Sequence, residues 1–300
     1  MTAIVLKQQS LTEASREAGA LFNHNLSLIN SKNDDQRKDA LAFLTHTVTE
    51  TAAPWPQPPS VIIAKTQPLI LDGTPAVRTQ LLKLFKSLPT AQLGPLDGAL
   101  LYSRAGMTHL STDIRLAALD TLDWLLASNG EAVVSCAGGW VKTLKTFQNL
   151  LSWTAQGSII SSATGAKWSN TKASSSLGSN KLLVHQINTL TKFLNAGLKP
   201  RAYDPNALAV KAAQSFPLWH ADAHILPTKS NCYGYLNLFG APRDLDSEMY
   251  DDPSERVEAL HESGLYDAFK YGVGEAKKEA GEIGRAASGL EKALRFAEQG

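Results

Sequence analysis

The chain has 300 residues, with 29 Lys and Arg against 28 Asp and Glu, two cysteines and 43% hydrophobic residues. This apolar fraction can form a buried core, which excludes a chain disordered throughout. Cys136 and Cys232 have no companion pair, so a disulfide framework is excluded and a reducing compartment such as cytosol or nucleus is indicated. No run of about 18 apolar residues and no secretory signal is present, so neither a membrane span nor secretion is expected.

The net charge of +1 is the sum of three unlike segments. Residues 1–130 carry 11 basic and 11 acidic side chains, residues 131–240 carry 10 and 3, and residues 241–300 carry 8 and 14. The basic middle segment has the charge to hold an anionic partner such as RNA. Its lysines are dispersed, however, which favours the alternative that the basic and acidic segments neutralise each other within the fold.

In chain order, the first 130 residues repeat one pattern three times. Each copy has an arginine (Arg37, Arg78 or Arg115), and apolar residues follow four and seven positions later on the same helix face. The arginines are 41 and 37 residues apart. The residues expected to cap the three helices at their N-termini are Asp34, Thr74 and Ser111, with Pro75 in a tolerated first-turn position.

Another apolar helical stretch precedes each of these helices, at Leu11–Ile29, Val61–Leu71 and Leu96–Met107. A two-helix unit recurring about every 40 residues predicts an all-α fold, a HEAT or armadillo-like α-solenoid of about four helix pairs. In the HEAT pattern, an arginine early in the second helix bonds to the neighbouring repeat. We therefore expect structural stacking contacts, rather than an anion-binding row, from Arg37, Arg78, Arg115 and Asp113.

Composition divides the chain into five parts. Residues 1–153 form the helical-repeat array, 154–180 a Ser/Gly-rich loop, 181–216 further helices completing the array, 217–253 an irregular proline-containing connector, and 254–300 a helical C-terminal extension. Later helices are expected at Trp140–Trp153, Lys181–Ala196 and Asn206–Phe216.

The C-terminal extension contains several glycines, which weaken an isolated helix. We expect it to order on a partner surface, since burial of apolar side chains there would offset the entropy lost on ordering. The side chains expected to be buried in this way are Val257, Leu260, Leu265 and Phe269.

The search for catalytic chemistry finds one weak metal pattern. His220 and His224 are four residues apart and Cys232 follows, but two nearby prolines leave little room for a helix, so two surface histidines are favoured over a metal site. No nucleophile motif or phosphate-binding loop is present. The sequence therefore predicts no catalytic residues, no metal and no cofactor.

Several blocks of the sequence together resemble one family. They are AGMTHLSTDIRLAAL at Ala105–Leu119, IVLKQQSL at Ile4–Leu11, RKDAL at Arg37–Leu41, and the pair Gly139–Trp140 ahead of a helix. This combination, covering residues 4–150, is similar to the fungal pre-rRNA-processing Ipi proteins and animal testis-expressed ten. The chain departs from the family at Gly106, where alanine is frequent. It also lacks the lysine-rich segment usually found before IVLKQQS, so a trimmed N-terminus and less direct RNA contact are expected.

The resemblance implies a nuclear scaffold subunit, nucleolar and nucleoplasmic, of the RIX-type complex of large-subunit ribosome assembly. It implies a non-enzymatic role in spacer rRNA processing. The implied partners are a helical scaffold subunit, a WD-repeat propeller subunit, the pre-60S particle and the AAA+ ATPase midasin.

We expect the first three repeats to dock on the helical scaffold subunit. Besides the four C-terminal residues above, the candidate partner-binding residues are Met107, Thr108, His109 and Trp140. Of these, Met107 is expected in the core, and Thr108 and His109 suit capping and partner contact equally well. The alternatives are an RNA-binding module using the basic segment 131–240, and a generic HEAT array in nuclear transport or kinase scaffolding.

Overall fold

In the computed structural model, all regular secondary structure of the described residues is helical. The structure describes residues 11–50, 55–90, 93–153, 177–199, 244–279 and 281–298. The helices are α1 (Leu11–Leu28), α2 (Asp34–Glu50), α3 (Pro59–Thr66) with a 3-10 turn (Gln67–Leu71), α4 (Pro75–Ser87), α5 (Asp97–Met107), α6 (Thr112–Ser135), α7 (Trp140–Leu151), α8 (Leu177–Leu198), α9 (Pro253–Glu262), α10 (Leu265–Ala276), and α11 (Glu282–Leu294) with a 3-10 turn (Arg295–Glu298).

The helices form a solenoid of stacked pairs. The second helices of the pairs (α2, α4, α6, α8 and α11) pack side by side in that order. The first helices (α1, α3, α5, α7 and α10) pack against the second helix of their own pair, α3 through its 3-10 turn. Because a helix hairpin cannot bury its apolar face alone, this stacking produces one continuous core. The predicted all-α solenoid is confirmed, and α10 and α11 add a fifth pair.

The C-terminal helices belong to the body of the solenoid. Leu260, Leu265 and Phe269 are at most 1% exposed, and Val257 packs against the same core, because α11 lies along α8 and α10 contacts α7. The expectation that these four side chains are buried on a partner is therefore wrong for this structure. They are buried within the chain itself.

Close helix packing explains one of the C-terminal glycines. A β-carbon at Gly272 would lie 2.1 Å from Cδ2 of Trp153, so only glycine allows α10 to approach the end of α7 this closely. The intrinsic helix penalty of this glycine is thus offset by a tertiary contact that its sequence position does not reveal.

Most predicted helix boundaries agree with the structure within a few residues. α8 begins at Leu177, so the last four residues of the predicted Ser/Gly-rich loop are helical. Thr74 and Ser111 occupy N-cap positions without side-chain cap bonds, and in α2 it is Asn33, not Asp34, that accepts the Asp35 N–H at 2.9 Å. The rest of that loop, the predicted helix Asn206–Phe216 and the connector up to residue 243 lie outside the described residues.

Helix α6 is broken near its C-terminus. Asn129 has non-helical backbone angles (φ −156°, ψ 66°), and its side-chain oxygen accepts the N–H of Ala132 at 3.3 Å. The turns after this break carry Glu131 and Ser135, which contact the C-terminal part of the chain. Across the described ranges, no helix is both long enough and apolar enough to cross a membrane.

Candidate functional site

Arg37 joins the first repeat to the second. Its Nε donates to Oδ2 of Asp72 at 2.8 Å and its Nη2 to Oδ1 at 3.2 Å, while Nη1 donates to the carbonyl oxygen of Ser31 at 2.8 Å. The Asp72 hydrogen bond raises the pKa of Arg37 above its usual range, and burial partly opposes that rise. The two side chains are only 14% and 6% exposed, so this pair is better shielded from water than an ordinary surface ion pair.

The other two repeat arginines bond within their own repeats. Arg78 donates to the carbonyl oxygens of Asp72 at 2.5 Å and Gly73 at 3.1 Å, in the loop before its own helix. Arg115 donates to the Thr112 hydroxyl at 3.1 Å, one turn away in α6. Asp113 is exposed in the first turn of that helix. The stacking contacts expected of Arg78, Arg115 and Asp113 are therefore corrected for the described residues.

The position six residues before each arginine explains this difference. This position is occupied by Ser31 in the first repeat, Asp72 in the second and His109 in the third. Each of these side chains accepts a hydrogen bond from the backbone N–H two residues further on, at 3.2, 2.8 and 3.0 Å respectively. Of the three repeats only the second has a carboxylate there, so within the described part of the chain only Arg37 has an ionic partner in the next repeat. His109 therefore caps the turn before α6. Its place six residues before Arg115, equivalent to Ser31 and Asp72 in the other repeats, is the sequence signal for this role.

We expect Arg37→Met to lower the free energy of unfolding by about 1–2 kcal/mol, because it leaves the mostly buried carboxylate of Asp72 without its guanidinium partner. Urea denaturation measures this change. Lys38→Met is the matched control, since Lys38 is 44% exposed and its loss should change stability by less than about 0.5 kcal/mol. Equal effects of the two substitutions would contradict the assignment.

Arg256 is the centre of a junction between the array and the C-terminal helices. Its side chain is fully buried. Nη2 contacts Glu131 Oε1 at 2.5 Å and Ser135 Oγ at 2.7 Å on α6, and Nη1 contacts the carbonyl oxygen of Gly197 on α8 at 3.1 Å. Nε and Nη2 also donate to the carbonyl oxygens of Tyr250 and Asp251, both at 2.9 Å. One side chain therefore holds α6, α8 and α9 together.

Trp140 completes this junction from α7. Its Nε1 donates to the carbonyl oxygen of Arg256 at 2.9 Å, and its ring stacks on Phe193 with centroids 5.3 Å apart. A β-carbon at Gly197 would lie 2.2 Å from Cζ3 of Trp140, so glycine is required where α8 passes the indole. Trp140 is fully buried, which corrects the expectation that it binds a partner.

The non-helical segment Asp244–Asp252, which begins with a turn, connects the junction to α7; we call it the strap. Asp246 contacts Lys145 Nζ at 2.6 Å, and the Ser247 hydroxyl accepts from Lys142 Nζ at 2.7 Å. Its backbone also accepts the N–H of Gly138 at 3.0 Å, through the carbonyl oxygen of residue 248. A Ser247 hydrogen bond, aided by Lys142 and Lys145, holds the pKa of Asp244 below its usual range.

These contacts bear on the charge distribution. The strap and α9 come from the acidic segment, whereas α7 and Glu131 lie in the basic one. The pair Lys145–Asp246 joins a lysine of the basic segment to a carboxylate of the acidic one, whereas Glu131–Arg256 joins the two segments with the opposite polarity. Lys145–Asp246 is therefore one contact of the kind expected if the two segments neutralise each other within the fold.

The turn between α5 and α6 presents the remaining partner-binding candidates. Met107 is 1% exposed and lies in the core, whereas Thr108 and His109 are exposed. The Thr108 hydroxyl donates to the carbonyl oxygen of Ala105 at 3.0 Å, closing α5. Leu110, which sequence reasoning did not select, is 97% exposed between these two capped helix ends. The turn therefore holds an apolar side chain in water.

The described residues offer little catalytic chemistry. No group of three His, Cys, Asp or Glu side chains among them is placed to hold a metal ion, and His220, His224 and Cys232 lie outside the described ranges. Burial raises the pKa of the Cys136 thiol, which disfavours the nucleophilic thiolate. A cleft of about 380 Å³ lies between α10 and α11. Two of the lysines that line it are already in ion pairs, Lys270 with Glu298 and Lys277 with Glu291.

The fold and the junction together define a helical-repeat protein whose C-terminal helices lock onto the array. The model of a family described as a Rix1 complex component involved in 60S ribosome maturation matches residues 96–194. The chain is 45% identical to pre-rRNA-processing protein ipi1 of Sclerotinia sclerotiorum, over 98% of this chain and 85% of that protein. It is 41% identical to the Aspergillus oryzae protein of that name (98% and 80%) and 42% identical to the Chaetomium thermophilum one (98% and 85%). The chain therefore belongs to the family of pre-rRNA-processing Ipi proteins.

Proposed function

We propose that the chain is a non-enzymatic scaffold subunit of the Rix1 complex, acting in pre-rRNA processing and 60S ribosome maturation. The observation that carries this proposal is the similarity to pre-rRNA-processing proteins along 98% of the chain, which includes the junction as well as the repeats. A continuous solenoid with exposed turns suits a protein that works through its surfaces.

The finer parts of the proposal concern partners and place. The chain binds a helical scaffold subunit and, with a WD-repeat propeller subunit, associates with the pre-60S particle, supports spacer rRNA processing and helps recruit the AAA+ ATPase midasin. It acts in the nucleolus and nucleoplasm. These statements rest on the family and on the resemblance of the sequence blocks.

Affinity purification of the tagged chain from nuclei, with mass-spectrometric identification of partners, tests the proposal. We expect both subunits and large-subunit precursors to co-purify, and depletion of the chain to cause accumulation of spacer-containing rRNA precursors. Normal rRNA processing after depletion, or purification without these subunits, would overturn it.

The turn at Thr108–Leu110 is the contact we propose for the helical scaffold subunit. Leu110 is almost fully exposed on a turn whose ends are fixed by His109 and Thr108, so its position is preorganised and little ordering entropy is lost on binding. A few side chains that fill desolvated pockets at the centre of an interface carry most of the binding energy, and we propose that Leu110 is one of them.

We expect Leu110→Ser to reduce co-purification of the scaffold subunit about tenfold or more. Truncating a side chain buried at the centre of an interface costs more than about 1 kcal/mol of binding free energy, and about 1.4 kcal/mol corresponds to a tenfold loss of affinity. Stability of the isolated chain should stay within about 0.5 kcal/mol, because the side chain is solvated already. Tyr271→Ser is the control, as Tyr271 is 40% exposed on α10, outside the three repeats expected to dock on this subunit. Undiminished capture by the Leu110 variant would remove the turn from the interface.

A further inference from the structure

One face of α7 carries positive charge that the strap covers. Lys142 and Lys145 are three residues apart and share a face of the helix. No Asp or Glu occurs from residue 132 to residue 203, so nothing nearby in the sequence neutralises them. Their structural partners are Ser247 and Asp246, which come from about one hundred residues further along the chain.

The two ends of the strap are held very differently. The C-terminal end leads into Arg256, which is fully buried and bonded to α6 and α8. The first half contacts α7 and the turn before it through Lys142, Lys145 and the Gly138 N–H, and the Lys145 and Asp246 side chains are 43% and 35% exposed. A pair that exposed contributes little and is weakened further by salt. Replacement of the lysine contacts by another ligand would therefore leave the buried contacts of Arg256 in place.

The strap also keeps its own shape. The Ser247 N–H donates to the carbonyl oxygen of Asp244 at 3.1 Å, and the Tyr250 hydroxyl donates to the carbonyl oxygen of Leu245 at 2.9 Å. The turn thus presents a carboxylate and a hydroxyl, side by side, to two lysines. Phosphate oxygens, like carboxylate oxygens, accept charge-assisted hydrogen bonds from lysine.

We propose that the lysine face of α7 is a covered binding site for the phosphate backbone of RNA, and that the strap is its cover. The inference rests on the proposed function, which places the chain on a particle containing rRNA. RNA displaces Asp246 and Ser247 from Lys145 and Lys142 and takes their positions. A lysine pair that neutralises phosphates releases counterions, so the binding weakens as the salt concentration rises.

The test is fluorescence anisotropy of the full chain with a labelled 20-nucleotide uridine RNA at several salt concentrations. The double variant Asp246→Asn/Ser247→Ala removes both groups that compete for the lysines. We expect it to bind RNA about three- to fivefold more tightly than the natural chain at low salt, the range set by the strength of a half-exposed ion pair. Adding Lys142→Gln/Lys145→Gln should abolish this gain. It should also reduce the slope of log affinity against log salt concentration by about 1.4, the value expected for loss of contacts to two phosphates of a single strand.

A matched control comes from α4, where Lys83 and Lys86 have the same spacing and are both exposed. Lys83→Gln/Lys86→Gln in the strap variant should leave the gain intact. Unchanged affinity in the strap variant, a gain that survives loss of Lys142 and Lys145, or an equal loss in the α4 control would each overturn the site. Tighter binding of polyglutamate than of RNA of equal total charge would overturn the assignment to RNA in favour of an acidic protein.

This outcome is separable from that of the proposed function. Complex assembly is read by co-purification of the natural chain, whereas the covered site is read by RNA affinity of the purified chain. The strap variant should still co-purify with the complex, since it leaves the Thr108–Leu110 turn unchanged.

Discussion

Replacing Arg256 with methionine is expected to lower the free energy of unfolding by about 3 kcal/mol. Methionine retains much of the aliphatic volume but leaves the carbonyl oxygens of Tyr250 and Gly197 without their donor in a buried site. Breaking a buried ion pair by removing one partner costs about 3–5 kcal/mol, and the lower end applies because Glu131 is 41% exposed.

Urea unfolding of the purified chain measures this effect as a shift in midpoint. Arg285→Met is the control, because Arg285 is an exposed arginine on α11, and it should change stability by less than about 0.5 kcal/mol. A loss below about 1 kcal/mol for the Arg256 variant would show that the junction is not the main tie between α9 and the array.

Two glycine substitutions are expected to have opposite signs. Gly197→Ala should destabilise the chain by about 2–3 kcal/mol, because the new methyl group would lie 2.2 Å from Cζ3 of Trp140 and the indole, itself bonded to Arg256, has no room to move. Gly274→Ala should stabilise the chain by about 0.5–1 kcal/mol, because a β-carbon there meets nothing within 4 Å and alanine is the better helix former.

Thermal unfolding of both variants under identical conditions compares them directly. The two sites share the residue change and the helical conformation, so helix propensity contributes equally to both and the difference reports packing alone. Destabilisation of similar size at both positions would refute the tight contact at Trp140.

The repeat period made the fold predictable from the sequence. Arginines 41 and 37 residues apart, followed by apolar residues on one helix face, specify helices α2, α4 and α6 without tertiary information. The role of Arg37 followed from the same pattern. That of Arg115 did not, because it depends on a histidine rather than a carboxylate six residues before it.

The C-terminal half was harder to predict for a physical reason. Arg256 is one of 29 basic side chains, and its partners Gly197 and Glu131 are 59 and 125 residues away in sequence. From the sequence, Gly272 of α10 only weakens a helix, and its role becomes visible when the ring of Trp153 is placed beside it. Periodicity reports which face of a helix is buried but does not report what covers it.

The separation between Arg256 and its partners sets an order of events during synthesis. An ideal repeat protein can fold outward from any repeat, since each unit contacts only its neighbours. Here α6 and α8 share the guanidinium of Arg256 as a hydrogen-bond donor, so this contact forms only after residue 256 has been made. At roughly 5–20 residues per second, that is several seconds after the synthesis of Gly197. The first three helix pairs are therefore expected to fold while the chain is still growing, and the fourth to close last, together with the fifth.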